Sequence, residues 1–436
     1  MSNPEFKRNL WLSFSMHRLI GMPALLGLTF LAIIFADQQD KVADSLYTAS
    51  IALFIFIVWL WGARNANATI VDELRDKTWD QQRMSALDPW TMTWGKLFGS
   101  TSFNWYGGVM CLVIIAISGF GADKPDVIPT LLSLCAFGVL LHAALIALNL
   151  HTSQFESRII QRGGVGWLLI ILVFMFLPAF SLSPSQSVSW WGMEISHGIF
   201  WLYTSLLFSA CATFAAWRVV CNALQVRTLP WAWPAFACIL AFYLSGFVPD
   251  SDSSVQPLLM IGLFVSVTMA YAAMFTEPNT LLRWRKLRLL QEKKDWRGWL
   301  EYLPLWPTTL VLSFLFAFLV VLTSHGVHAR HGGMDFLQPP HALTIAMMLL
   351  RDACILLFFA FSPNSKRAVG AAMLYLFVLN LLLPFLAGIA GLDLVRYFFL
   401  PFEGDYDPWS SVLVLTFHTG IAIGLVNWRL RNSEQL

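Results

Sequence analysis

Apolar residues in this chain come in long unbroken runs, with charged residues crowded into the gaps between them. The runs fall near 19–36, 47–63, 104–121, 129–150, 165–182, 196–218, 233–248, 256–275, 308–323, 341–361, 368–390 and 411–428. A helix of about 20 apolar residues crosses the hydrocarbon of a bilayer. Within lipid each run must satisfy its own backbone hydrogen bonds, which dictates helices. The pattern therefore predicts an all-α polytopic membrane protein with twelve transmembrane helices. Ahead of the first run, Phe6, Leu10 and Phe14 recur at four-residue spacing, with Trp11 beside them and Lys7 and Arg8 on another face. This predicts an interfacial helix lying along the membrane.

Composition agrees: 57% of the 436 residues are hydrophobic and only 12% are charged, about half the charged share of a soluble domain. The sum of charges, +2, gives no footing for nucleic acid, but their distribution sets an orientation. With the N-terminus inside, the external loops hold only Lys41, Lys124, Arg330 and Arg396. Arg351 lies within a span, and the other 23 of the 28 Lys and Arg fall on the cytoplasmic side. Such a bias follows the positive-inside rule, and puts both termini in the cytoplasm. The six cysteines lie in or beside apolar runs and read as small buried hydrophobes.

The two halves echo each other. Pro23-Ala24 and Pro234-Ala235 open the first and seventh spans, and Trp217-Arg218 and Trp428-Arg429 close the sixth and twelfth, both pairs separated by 211 residues. Arg158 and Arg367 are 209 apart, and Leu177-Pro178 and Leu383-Pro384 are 206 apart. This register predicts two six-helix repeats in parallel orientation, residues 1–232 and 233–436.

The long cytoplasmic loops, near 64–103 and 276–307, follow the second and eighth spans. The first reads Glu73-Leu74-Arg75-Asp76-Lys77-Thr78-Trp79-Asp80-Gln81-Gln82-Arg83-Met84-Ser85-Ala86-Leu87-Asp88-Pro89, with Lys96 before the third span. An acidic residue, Thr-Trp-Asp, a turn, a proline and a lysine entering the next span resemble the pattern of the type-2 ABC exporter membrane family. The second loop is a looser copy: Thr276-Glu277-Pro278, a basic helix through Arg283, Arg285, Lys286 and Arg288, then Asp295-Trp296. The resemblance implies a permease formed from two fused membrane halves. Its ATPase-coupling surfaces would lie at Glu73, Trp79, Asp80 and Arg83 and at Glu277, Arg283, Arg285 and Arg288; the other reading of these loops is of solvated basic segments held to the anionic headgroups of membrane lipid. The chain holds no GxxxxGK[ST] loop, so ATP and Mg would be bound by partner ATPase subunits, in two copies or as two different chains. The chain itself would be no enzyme. The substrate is not legible, although an apolar, aromatic-rich lining suits an amphipathic one.

Three further features carry chemistry. Arg351 and Asp352 sit inside the tenth span and His418 inside the twelfth, where a charge is costly and marks a polar pathway or a contact between helices. Neighbours on a helix project about 100° apart, so Arg351 and Asp352 need not pair. His325, His328 and His331, on the external side, form a candidate metal or haem site, or an ordinary interfacial loop. The external segments 190–193 and 397–402 are aromatic; they resemble the re-entrant external helices of the exporter family, or form an aromatic belt. A gradient-driven carrier using Arg351, Asp352 and His418 is the alternative function, and a membrane enzyme or assembly factor a further one.

Overall fold

The computed structural model describes residues 3–36, 41–84, 87–153, 187–226, 228–248, 255–323, 339–362, 367–402 and 407–433. Among them, ten helices are long and apolar enough to cross a membrane, and the protein is an all-α, multi-pass membrane protein. Two of the twelve expected spans stand outside that set. The run 165–182 lies outside the described residues, and the seventh, Ala232–Ser245, is a helix of only 14 residues. The chain divides into two compact units, one of residues 1–189 and 193–228, the other of 190–192 and 229–436.

In the first unit, α1 (Pro4–Ser13) starts where the Asn3 side chain accepts from the backbone N–H groups of Glu5 and Phe6, with Pro4 opening the first turn. The first span, α2 (Met16–Ala36), follows. The second is one 34-residue helix, Val42–Arg75, made of α3 (Val42–Phe54), a π-helical stretch (Ile55–Gly62) and α4 (Ala63–Arg75). At 1.5 Å per residue it is about 50 Å long, well beyond the ~30 Å of hydrocarbon. Its last turns therefore project past the bilayer, carrying Asp72, Glu73 and Arg75.

Lys77, with φ of 57°, breaks that helix and starts α5 (Thr78–Arg83). Then α6 (Pro89–Gly99) is capped by Asp88, whose carboxylate accepts from the Trp90 and Thr91 N–H groups. The spans α7 (Ser102–Gly121) and α8 (Val127–Ser153) come next. A hairpin of β1 (Ser187–Trp190) and β2 (Met193–Ser196) precedes α9 (His197–Ala223). Helix α9 packs along α8, α7 along α3, and α1 across α6. Trp59, Phe54, Phe137 and Leu141 fill the membrane core, while Ile70, Trp79, Met92 and Leu97 form a second core at the loop end.

The segment 190–193 is not a re-entrant helix. Trp191 and Gly192, at φ of 52° and 68°, make a two-residue hairpin turn that needs two positive φ angles.

The second unit runs α10 (Ala232–Ser245), α11 (Val255–Thr276), α12 (Leu281–Glu292), α13 (Trp296–Tyr302), α14 (Trp306–Thr323) and α15 (Pro339–Ala360). Then α16 (Ala368–Phe377) passes through a π-helical turn (Val378–Leu382) into α17 (Leu383–Ile389), followed by α18 (Asp393–Phe399) and α19 (Pro408–Ser433). Helices α11 and α14 pack together, as do α15 and α19.

Candidate functional site

The first loop is organised around a lysine. Lys96 projects from α6 into full burial, at 0% exposure. Its ammonium donates to the Glu73 carboxylate, to Gln82 Oε1 at 2.8 Å and to Glu5 Oε1 at 3.4 Å. An ammonium carries three N–H donors, and all three are used. The Trp79 ring lies beside it, with Nζ 5.1 Å from the ring centre. Gln82 Nε2 closes the ring of contacts by donating to Glu73 Oε1 at 3.0 Å. Arg8 adds a second cation, 3.2 Å from Glu5 Oε1 and 3.7 Å from Glu73 Oε1.

Four helices thus meet in one polar knot: α1 supplies Glu5, α4 Glu73, α5 Gln82 and Trp79, and α6 Lys96. Small residues permit the approach. A Cβ on Gly95 would stand 2.6 Å from Glu5 Cβ, and one on Gly99 2.8 Å from Asn9 Cβ, so α1 can lie on α6 only across glycines. Asn9 and Asn3 then donate to Gly95 O at 3.4 Å and Thr91 O at 2.7 Å. The outward side of α1 is mixed, with Trp11 81% exposed beside the exposed Lys7 and Arg8.

Of the residues expected to form the first coupling surface, Glu73 and Trp79 face inward, at 7% and 6% exposure. A carboxylate so placed is tolerable because a cation and an amide donor meet it. Arg83 is exposed at the end of α5, beside Met84. Asp80 lies in α5, and its side chain is outside the described residues.

The second loop is braced differently. Glu277 is buried, its Oε2 accepting from the Leu305 N–H at 2.8 Å and lying 3.9 Å from Arg283 Nη1. Burial raises the Glu277 carboxyl above its ordinary value, with Arg283 and the Leu305 N–H opposing. Arg283 is held down by burial, opposed by the Glu277 charge, and its Nε donates to Tyr302 O at 3.0 Å. Asn279 accepts from Trp306 Nε1 at 3.0 Å. Arg285 and Arg288 are exposed on the outward side of α12.

Within the membrane, Arg351 and Asp352 of α15 do pair. Arg351 Nε and Nη2 both donate to Asp352 Oδ1, at 2.8 and 2.7 Å. The flexible arginine stem bends back over the 100° between the two positions. Arg351 Nη2 also donates to Asn380 Oδ1 at 2.6 Å, on the π-helical turn, and Tyr271 of α11 donates to Asp352 Oδ2 at 2.7 Å. His418 of α19 sits against Phe398, ring centres 4.4 Å apart, and joins none of these bonds. In the first unit, His142 of α8 donates Nε2–H to the Val58 carbonyl at 2.9 Å, and Asn104 donates to the Ile57 carbonyl at 2.9 Å. Both carbonyls belong to the π-helical stretch, whose displaced hydrogen bonds are met by neighbouring spans.

His325, His328 and His331 lie outside the described residues. Among the described residues, no group of three His, Cys, Asp or Glu is placed to hold a metal ion. Residue reading missed Glu5, Gln82, Tyr271 and Asn380, and took Lys96 only as part of a pattern. Glu5 and Asn9 carried one signal, their i, i+4 spacing, which marks a shared helix face. Compared with known proteins, the chain matches no family model, no curated protein and no solved structure.

Proposed function

We propose that this chain is the membrane-spanning subunit of an ATP-driven exporter in a bacterial inner membrane, with twelve spans in two parallel six-helix repeats and both termini cytoplasmic. ATP and Mg bind to separate ATPase subunits. The observation that carries this reading is the knot at Lys96. It clamps α1, α5 and α6 onto the end of a helix continuous with the second span. A force applied to the exposed tip at Arg83 then moves a span rather than bending a loop. In this reading Glu73 and Trp79 stiffen the element from inside, while Arg83 meets the ATPase. In the second repeat Glu277 and Arg283 brace the corresponding element, beneath the outward Arg285 and Arg288. Among the described residues, the order of elements that opens each unit supports the repeat: two apolar helices, then short loop helices, then further spans.

A gradient-driven carrier is the second reading, favoured by the buried Arg351–Asp352 pair. The partners of that pair on α11 and on the π-helical turn also fit a structural tie, which an exporter accommodates equally.

A photo-crosslinking residue at Arg83, in native membranes, tests the proposal. The expected adduct contains a nucleotide-binding chain. Adducts with lipid alone would remove the coupling role from this loop.

A further inference from the structure

Helix α12 presents two leucines to the outside in the middle of a cationic face. Leu282 is 75% and Leu289 48% exposed. They are seven residues apart and so share one face. Arg285 lies between them, Lys286 and Arg288 flank them, and the opposite face holds the buried Leu287. Past the helix, exposed Lys293, Lys294 and Arg297 follow in close order, with Trp296 58% exposed among them. Against these six cations stand three acids, Glu292, Asp295 and Glu301, the first and last paired with Arg288 and Arg297 at 3.5 and 3.3 Å, so the face stays net positive. The exposed charges of the first loop are instead of mixed sign: Arg64, Asp72, Arg75, Asp76, Lys77, Arg83 and Asp88.

The position of this face decides what can cover it. Only residues 277–280 separate α12 from the span α11, and only 303–305 separate α13 from the span α14. The pair α12–α13 is therefore tethered at the membrane surface from both ends. Aromatic rings cluster at the same level: Trp284 and Trp306 are 5.8 Å apart, and Tyr302 carries Lys286 Nζ 3.6 Å from its ring centre. Exposed leucines flanked by long cationic side chains match the boundary between acyl chains and headgroups, where the stems lie along apolar groups and the charges reach phosphates.

We propose that α12 and the turn after it form a binding face for the headgroups of anionic phospholipids, through Arg285, Lys286, Arg288, Lys293 and Lys294, with Leu282 and Leu289 entering the acyl boundary. This does not depend on the exporter reading. If both hold, nucleotide-driven motion enters chiefly through the first loop, and the second is pinned to the leaflet.

The test uses the full chain in micelles containing equal phosphatidylcholine and phosphatidylglycerol, with retained lipids counted by native mass spectrometry. The parent protein should retain phosphatidylglycerol preferentially. A variant carrying Arg285→Gln, Lys286→Gln, Arg288→Gln, Lys293→Gln and Lys294→Gln should lose that preference by about tenfold or more. Arg285→Lys with Arg288→Lys, and separately Lys77→Gln with Arg83→Gln in the first loop, should keep it. Absence of preference in the parent, or its survival in the five-fold variant, overturns the proposal. A photo-crosslinker at Leu289 in native membranes gives a second reading with every cation in place. A phospholipid adduct is expected, and an adduct with a protein chain would make α12 a protein-docking surface instead.

Discussion

Lys96 and Glu73 form an ion pair out of reach of water, joining the end of the second span's helix to the helix that leads into the third. Its energetic character follows from burial. Two desolvated charges gain little net stability as a pair, but either one alone is costly. Lys96→Met leaves the Glu5 and Glu73 carboxylates together with only Arg8 for a counter-charge, and should destabilise the protein by about 3 kcal/mol. Adding Glu5→Gln and Glu73→Leu to Lys96→Met should recover much of that loss. Thermal unfolding of the purified variants checks both. An additive triple variant, less stable than Lys96→Met, would show that the knot is not an electrostatic unit.

Glu277 gives the second loop a pH dependence. Its carboxyl holds its proton more tightly folded than unfolded, because burial raises it. Such a group favours folding most fully below the unfolded carboxylate value of about 4.3, and that contribution is lost as pH rises through the raised folded value. Glu277→Gln keeps an acceptor for the Leu305 N–H and removes the titration. The variant should match or exceed the parent in stability at pH 8, and its stability should vary less between pH 5 and pH 8. Melting curves across that range decide it, and a variant with an unchanged pH slope would refute the assignment.

The Arg351–Asp352 pair should be as unforgiving as the Lys96 knot. Asp352→Ala leaves a guanidinium at 2% exposure without its counterion, at a cost of about 3–5 kcal/mol. Tyr271→Phe removes one bond to a charged acceptor and should cost about 1.5–3 kcal/mol. Arg351→Met combined with Asp352→Leu should be milder than Asp352→Ala alone. Monodisperse yield and unfolding temperature in detergent order the three, and the reverse order would mean that the charges serve function and not packing.

The spans were legible because lipid leaves a helix few alternatives, and the run 368–390 meets a continuous helical stretch at Ala368–Ile389. Depth was not legible. Glu5 and Asn9 face inward because Gly95 and Gly99 leave α6 without side chains there, a contact that the pattern of α1 alone does not reveal. Glu73 and Trp79 read as a surface because charged loops are usually wet. The partner that draws them in, Lys96, lies 23 residues from Glu73, beyond what local spacing reveals. The π-helical stretch at Ile55–Gly62 has no mark in an apolar run, since the donors that meet its carbonyls, His142 and Asn104, come from other spans. The hairpin at 187–196 hid behind its tryptophans, which suit a membrane interface in any backbone conformation.

The exporter reading is tested most directly by isolating the tagged full chain from its own membranes in mild detergent and measuring ATP hydrolysis alongside the identity of every co-purifying chain. The account predicts hydrolysis that travels with a separate chain bearing a phosphate-binding loop, and that disappears when that chain is stripped away. Hydrolysis by the stripped chain alone, or a stable preparation with no nucleotide-binding partner and no ATPase activity, would contradict it.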